Sequence, residues 1–473
     1  MEYFLSFLIL AFNLFDYEVN VNKYVFLAVS LVILGSLFFV VYKKTGNYLM
    51  TCMIMMCHTW QISWVNIFGD PTSALQLPWL YIFGVMVVLY GVFNIRECFK
   101  KNYGSIVFMF FIAYMFLFIY PMLIAPDPAE GLKEFIMIGF FVVVLFVCFL
   151  FKDKVDGKAY MHFQNSLIWA VFISSLAIVF QWFMYTYAKV SLFKIAIALS
   201  FSGYQTNCYL LMEDHSCSTI MLGCAIFYML DRIDKKRWTY MVPATLTVII
   251  AMALTSRRTS TLSLIVVLAV YVLFHYKGIG KKMLFTVLGI GVGAVMLYYL
   301  LIARPVESFS QMLSDNGRYE NYMGAVEIIK EHPMGMGYDD SYNVTFMPDH
   351  KTTVHNTLLR WCILTGIPSA LILVGIIVFV VIEAGKKKLY AEYWAILYTM
   401  FASNFIPDIL NARFFVIICS VAFLVRSRET FETENAAAAA PEAEKPVLSA
   451  SFSGRQNNMG RVSLSRGGTG RLR

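Results

Sequence analysis

The stretch YVFLAVSLVILGSLFFVVY at residues 24–42 decides the fold, because it holds 19 consecutive residues without a charged side chain. A helix of that length rises about 28 Å, which is close to the roughly 30 Å thickness of the hydrocarbon core of a bilayer. Lys43 and Lys44 follow it directly. The stretch therefore predicts a membrane-spanning helix that ends at a basic connector in water.

Similar apolar blocks recur along most of the chain. They predict 14 spans, or 12 if the shortest are not spans, at residues 2–15, 24–42, 48–68, 76–93, 104–124, 132–151, 163–187, 213–230, 239–254, 259–276, 283–302, 354–382, 390–406 and 412–426. Of the 473 residues, 59% are apolar and 14% are charged, whereas about 25% are charged in soluble proteins. This composition excludes a soluble enzyme, a secreted disulfide scaffold and a nucleic-acid-binding protein. We predict an all-α polytopic membrane protein.

The basic residues predict the orientation of the spans, since short cytoplasmic connectors are rich in Lys and Arg. One alternating set of connectors holds 18 Lys and Arg residues, at 43–47, 94–103, 152–162, 231–238, 277–282 and 383–389. The other set holds 3, at 16–23, 69–75, 125–131, 255–258 and 407–411. The first set and both termini are therefore predicted to be cytoplasmic.

This orientation divides the chain into six parts. They are N-terminal helices at 1–187, an outer loop at 188–212, further helices at 213–302, a large extracytoplasmic loop at 303–353, C-terminal helices at 354–427 and a disordered cytoplasmic tail at 428–473. Most cysteines lie in apolar runs. Only Cys208 and Cys217 fall near the predicted outer surface, where they are either free thiols or a disulfide. No Cys or His spacing typical of a metal site is present.

Arg257 and Arg258 form an adjacent pair on the side of the membrane where basic residues are avoided. One interpretation is an anion site, because Arg binds phosphate oxygens through two N–H groups and stays charged. The alternative is a pair that extends to lipid headgroups or bridges to an acid. Glu213, Asp214 and His215 open another span on this side. The alternatives for them are a second acid/base group or a weak cation site, and we favour polar residues of the membrane interface.

The large loop contains a predicted amphipathic helix at residues 318–331, with Tyr322, Met323, Val326 and Ile329 on one face. Asp315 or Asn316 can cap it, and Pro333 ends it. Arg318 then lies in the first turn, where free N–H groups favour a phosphate. The alternative is that Arg318 pairs with nearby Glu residues.

A glycine-rich turn, PMGMG at residues 333–337, follows this helix. Gly335 and Gly337 let the backbone bend sharply or approach a ligand closely. Tyr338, Asp339 and Asp340 come next, and the alternative to a functional role for them is a solvated loop surface.

The segment TTVHNTLLRWCILTG at residues 352–366 begins a predicted span. Capping by Thr352 or Thr353 would place His355 in the first helical turn, where the positive helix end keeps the imidazole neutral as a proton acceptor. The alternative is a His that donates to a carbonyl at the headgroup boundary. Arg360 would lie about 7 Å deeper, so it needs a partner, for which Asp408 is a candidate.

These residues, in this order, resemble the O-antigen polymerase and O-antigen ligase family of bacterial membrane glycosyltransferases. The similarity consists of Ser256-Arg257, then Arg318, then Pro333 with Gly335 and Gly337, and then His355-Asn356 followed by Leu359 and Gly366. It covers about residues 200–382. Two residues depart from the family pattern, Arg258 and Ser369. Because Arg258 directly follows Arg257, either of the two can be the functional Arg of the first motif.

The resemblance implies sugar transfer on the outer leaflet from an undecaprenyl-diphosphate-linked donor. His355 would be the base, and Arg318 with Arg257 would bind and stabilise the diphosphate without a metal or cofactor. Arg258, Arg360, Asn356, Tyr338, Gly335 and Gly337 are the candidate substrate-binding residues. The acceptor would be a lipid-linked unit for a polymerase or lipid A-core for a ligase. A chain-length regulator and membrane lipids are further candidate partners, and no nucleic acid is expected.

A transporter is the alternative from another class, for example a flippase for lipid-linked oligosaccharides. A flippase should carry its charges through the depth of the membrane, whereas these charges gather at one face beneath a loop. We therefore favour an enzyme, and among enzymes a polymerase over a ligase, because the chain has more predicted spans than such ligases generally show.

Overall fold

The structure is a computed structural model, and it describes part of the chain. The described residues are 1–19, 21–60, 62, 79–100, 103–190, 192, 197–198, 207–208, 215–233, 238–255, 258–280, 282–284, 286–287, 289–291, 293–294, 318–347, 354–405 and 413–430. The predicted tail lies outside this set from residue 431 onwards.

Helices dominate the described chain. The α-helices are α1 Glu2–Val19, α2 Lys23–Thr45, α3 Tyr48–Thr59, α4 Trp79–Phe93, α5 Ile95–Lys100, α6 Gly104–Tyr114, α7 Tyr120–Leu123, α8 Pro128–Glu134, α9 Phe140–Leu150, α10 Gly157–Phe183, α11 His215–Ile233, α12 Trp238–Leu254, α13 Arg258–His275, α14 Arg318–Glu331, α15 Asp340–Val344, α16 Thr357–Thr365, α17 Ile367–Lys386, α18 Tyr390–Ala402 and α19 Arg413–Leu424. Single π-helical turns lie at Met115–Ile119, Phe135–Gly139 and Met184–Ala188, and a 3-10 turn lies at Ser403–Phe405. The strands β1 Ile197–Ala198 and β2 Asn207–Cys208 form a short antiparallel pair.

Four helical segments are long and apolar enough to cross a membrane. They are Lys23–Thr45, Gly104–Leu123, Gly157–Ala188 and Ile367–Lys386. Further apolar helices of 10–17 residues stand beside them. The prediction of an all-α membrane protein is confirmed, and the count of 14 spans stays a prediction.

The predicted span at 354–382 differs from the structure, because two helices occupy it. Helix α16 ends at Thr365 and α17 begins at Ile367, with Gly366 between them at φ 87° and ψ 164°. This backbone conformation interrupts the helical hydrogen bonding and is one that glycine adopts at little cost. The break separates Arg360 from the long apolar helix that follows.

Ion pairs join the connectors that were predicted to be cytoplasmic. The pairs are Lys44 with Glu2 at 2.9 Å, Lys154 with Glu97 at 2.7 Å, Lys387 with Asp153 at 2.7 Å and Arg428 with Asp231 at 3.1 Å. The connector at 125–131, from the other set, contacts the large loop: the Asp127 N–H donates to Asp339 Oδ2 at 3.2 Å. These contacts join only segments that alternating spans would place on one side of the membrane.

The side chain of Lys387 caps the C-terminal end of α19. Its ammonium donates to the carbonyl oxygens of Ala422, Phe423 and Val425 at 3.1, 2.7 and 2.8 Å. Burial lowers the pKa of Lys387, and the Asp153 carboxylate opposes that effect. The last carbonyls of a helix have no partner within the helix, so this side chain supplies hydrogen bonds that α19 cannot make itself.

One large hydrophobic core runs through the bundle, and a smaller one lies beside it. The small core consists of Ala325, Ile328, Met336, Met347, Val354 and Ile363. Four of its residues come from the predicted outer loop, Ile363 comes from α16, and Val354 lies between the loop and α16. The loop is therefore packed onto the helices, and this packing positions the candidate site.

Candidate active site

The glycine-rich turn docks onto the break between α16 and α17. The Met336 N–H donates to the Ile363 carbonyl at 2.7 Å, and the Ile367 N–H donates to the Pro333 carbonyl at 2.9 Å. These bonds tie the turn to both sides of the break. The end of the outer loop is therefore held by backbone hydrogen bonds.

Gly335 and Gly337 make this docking sterically feasible. Their φ angles are 86° and 94°, in the region that disfavours residues with a side chain. A Cβ on Gly335 would lie 2.6 Å from the Gly366 nitrogen, and one on Gly337 would lie 2.7 Å from the Ala125 nitrogen. The close approach that the motif predicts is thus made to the protein's own backbone, which accounts for both glycines without a ligand.

Helix α14 has the predicted bounds and packs onto α16. Ala325 and Ile328 are buried against Val354 and Ile363 in the small core. Met323, which was predicted to lie on the apolar face, is 46% exposed. That part of the prediction is wrong, because the buried face is centred on Ala325 and Ile328 and Met323 projects away from it.

Tyr322 connects α14 to the segment that carries His355. Its hydroxyl lies 2.9 Å from the His355 carbonyl and 3.1 Å from the Asn404 carbonyl, as donor to both. Arg318 stands four residues earlier in the same helix, about 6 Å along the axis and on the same face. The fold thus brings the backbone of Arg318 within about one helical turn of this contact, while its side chain lies outside the described atoms.

His355 precedes the helix instead of lying in its first turn. Asn356 is the N-cap of α16, and its Oδ1 accepts from the Leu359 N–H at 3.1 Å. The prediction of a cap at Thr352 or Thr353 is therefore wrong, because the Asn side chain captures the free N–H group of the third helical residue. The His355 side chain is half-buried, at the end of the bundle that was predicted to be outer.

Arg360 is buried within the short helix α16, with 4% of its surface exposed. It lines a small cavity together with Asn343, Val344, Met347, Val354, Ile363 and Leu364. The single long span predicted around Arg360 is wrong, since the break at Gly366 places Arg360 before the long apolar helix, while its depth of about 7 Å stays a prediction. Asp408, the predicted partner, lies outside the described residues.

The arginine pair is described only by its position in the chain. Arg257 lies outside the described residues, and Arg258 is the first residue of α13, with its side chain not described. The start of α13 contacts α18, because the Tyr398 hydroxyl donates to the Ser260 carbonyl at 3.0 Å. Tyr398 stands six residues before Asn404, or about 9 Å along a helix. The start of α13 and the His355 segment thus meet the same end of α18.

Tyr338 and Asp339 are structural in this geometry. The Tyr338 side chain is fully buried, and its hydroxyl donates to the Leu117 carbonyl at 2.7 Å. Asp339 is 5% exposed and accepts from the backbone N–H groups of Tyr342 at 2.9 Å and Asp127 at 3.2 Å. The prediction of a solvated surface is wrong for both residues, because the docked turn carries them into the fold.

Other predicted residues are described in part or not at all. Glu213 and Asp214 lie outside the described residues, and His215 begins α11 with its side chain not described. Cys208 belongs to β2, and the Cys217 side chain is not described. Within the described ranges, no group of three His, Cys, Asp or Glu side chains is arranged to hold a metal ion.

The structure adds two residues to the site. The helical pattern predicts only an apolar contact for Tyr322, whereas its hydroxyl bridges two segments. No motif points to Asn343, which follows the glycine turn and lines the cavity beside Arg360. Neither role has a local signature, because each depends on chain segments that lie far apart in sequence.

Comparison with known proteins supports the family resemblance that the motifs indicate. Residues 243–374 match the family model described as O-antigen ligase. This segment includes Arg257, Arg318, the glycine turn, His355 and Gly366. Neither a search of curated proteins nor a search of solved structures returned a match. The resemblance seen in the motifs is confirmed over residues 243–374, which are similar to the O-antigen ligase family.

Proposed function

We propose that this protein is a polysaccharide polymerase that joins lipid-linked repeat units on the outer face of a bacterial inner membrane. The O-antigen ligase family domain supports a membrane enzyme that acts on polysaccharide. The assignment of Arg318 and His355 to one site rests on the contact of Tyr322 with the His355 carbonyl. It joins the helix that begins at Arg318 to the segment that holds the imidazole.

The proposed chemistry is a single displacement at a sugar carbon. A hydroxyl of the acceptor attacks the anomeric carbon of the donor as His355 takes the hydroxyl proton. A new C–O bond forms, the bond to the diphosphate breaks, and the lipid diphosphate leaves with the bonding electron pair. Arg318 and Arg257 or Arg258 stabilise the charge that develops on the leaving group. Attack from the opposite face inverts the anomeric centre, and the guanidinium groups take the place of a metal ion.

The proposed orientation places both termini in the cytoplasm and the site in the periplasm. The excess of 18 over 3 basic residues in the two sets of connectors supports this side assignment. It is consistent with the contacts of the basic connectors with one another and with Arg428, and with the contact of the connector at 125–131 with the large loop.

A ligase that transfers polysaccharide to lipid A-core is the second candidate, and the description of the matching family favours it. The preference for a polymerase rests on the predicted number of spans. Analysis of polysaccharide in a deletion strain distinguishes the two functions. We expect products with a single repeat unit for a polymerase, whereas polymer that is not attached to lipid A-core would identify a ligase.

The role of His355 is tested in purified protein with lipid-linked repeat units as donor and acceptor. We expect His355→Ala to remain folded and to lose chain growth, and Arg318→Lys to lose most of it because bidentate contact is lost. His332→Ala is the matched control, since His332 is exposed in the same loop. Full activity of His355→Ala would exclude His355 as the base. Loss of turnover in EDTA that only a divalent ion restores would exclude the metal-free mechanism.

A further inference from the structure

The cavity beside Arg360 has the size and lining of a site for one small polar group. Its volume is about 20 Å³, and a site needs roughly 10–15 Å³ to hold a group as large as a water molecule. Val344, Met347 and Val354 form apolar walls, while Arg360 and Asn343 supply the polar atoms. Val354 directly precedes His355, so the cavity lies next to the proposed base.

The amide of Asn343 has a defined orientation. Its Nδ2 donates to the Gly337 carbonyl at 3.1 Å. The reverse orientation would set two acceptor oxygens against each other, so the observed assignment follows from the hydrogen bond. Oδ1 is therefore the amide atom left for other contacts.

Asn343 Oδ1 is a buried acceptor that receives no hydrogen bond from the described residues. The residue is 5% exposed. Such an atom carries a substantial desolvation cost unless a donor reaches it. Since Asn343 lines the cavity, a bound group with a proton to donate would satisfy it.

The two polar side chains require opposite hydrogen-bonding partners in a bound group. Arg360 offers only N–H donors, whereas Asn343 Oδ1 only accepts. A phosphate could accept from Arg360, but its oxygens carry no proton for Asn343 and would face the amide oxygen. A sugar hydroxyl both accepts and donates, so one hydroxyl can accept from an N–H group of Arg360 and donate to Asn343 Oδ1.

We propose that Arg360 and Asn343 hold a hydroxyl of the acceptor sugar, and that the diphosphate binds elsewhere, at the arginines of the proposed catalytic centre. The inference rests on the proposed function and adds the group that this part of the site recognises. Arg360 is then a residue of acceptor specificity, which sets it apart from Arg318.

The test combines a variant with altered acceptors. The acceptor is the lipid-linked oligosaccharide that accumulates in a strain lacking this protein, together with analogues in which hydrogen replaces one hydroxyl of the acceptor sugar at a time. For the parent acceptor, we expect Asn343→Ala to raise KM about tenfold with kcat little changed, the size expected for one neutral hydrogen bond. For one analogue, we expect the wild-type protein to show the same rise and Asn343→Ala to show no further one.

Val344→Ala is the control, because it enlarges the same cavity without removing a polar group. It should keep the wild-type ratio of KM between the parent acceptor and every analogue. If Asn343→Ala does not fold, Asn343→Ser, which keeps a small polar side chain, serves for the same comparison. The proposal is overturned if the losses from the variant and from every analogue multiply, or if the variant lowers stability without changing the ratios. A wild-type protein that never extends the parent acceptor would instead refute the proposed function, and this inference with it.

Discussion

Replacing Gly335 with alanine tests whether the glycine motif serves packing or ligand binding. The alanine would have to keep a φ of 86°, which costs a residue with a side chain about 1–3 kcal/mol. Its Cβ would also lie 2.6 Å from the Gly366 nitrogen, 2.7 Å from the Thr365 carbonyl carbon and 2.8 Å from the Leu364 oxygen. All three are backbone atoms that cannot rotate away, and such overlap adds about 1–3 kcal/mol.

The sum is about 2–6 kcal/mol, which is enough to detach the turn from α16 and α17. The amides of Met336 and Ile367 report this directly, because their hydrogen bonds join the turn to the two helices. A loss of 2 kcal/mol corresponds to about 30-fold faster hydrogen exchange. We expect that increase in peptides covering residues 333–339 and 363–367, together with a lower unfolding temperature in detergent.

Gly375→Ala is the matched control. Gly375 lies inside α17, and a Cβ there would meet no atom within 4 Å. The change should be neutral or stabilising by about 0.5–1 kcal/mol. If Gly335→Ala exchanges and unfolds like Gly375→Ala and only raises the KM for substrate, the packing explanation is refuted and the motif serves ligand approach.

Two further predictions concern single side chains that hold the fold together. Tyr322→Phe should loosen α14 by about 1 kcal/mol and speed exchange of its amides about fivefold, whereas Met323→Ala, at a position 46% exposed on the same helix, should not. Equal exchange in the two variants would show that the Tyr322 hydroxyl does not hold the loop. Lys387→Met should lower the free energy of unfolding by about 1–3 kcal/mol, because it leaves the Ala422 and Val425 carbonyls without this donor. The ion pair adds little, since the Asp153 side chain is 49% exposed. Lys386→Met is its control, with a side chain 67% exposed, and similar denaturation midpoints would contradict the capping role of Lys387.

The bounds of α14 illustrate what local sequence can predict. Arg318–Glu331 was expected from the spacing of apolar residues and from Pro333, and the structure has the same bounds. The direction of its buried face was predicted less well, because which side chains turn inward depends on the surface of α16 beneath them. Met323 is apolar and still 46% exposed.

Buried charges illustrate what local sequence misses. Glu2 stands near the chain start and gave no signal, yet its carboxylate is fully buried. It meets Lys44 at 2.9 Å, His162 at 2.8 Å and His58 at 3.3 Å. Three helices supply these partners, and no spacing within one helix predicts their meeting.

The amino-acid sequence by itself determined that this chain is helical and lies in a membrane, because the length and polarity of each apolar block act locally against the thickness of the bilayer. The order of its motifs likewise indicated the enzyme family. Only the tertiary structure decided that the glycines pack against backbone and that Asn343 faces the cavity of Arg360. These features depend on contacts between distant segments, where steric fit and the satisfaction of buried hydrogen bonds set the result, and no local pattern encodes either one.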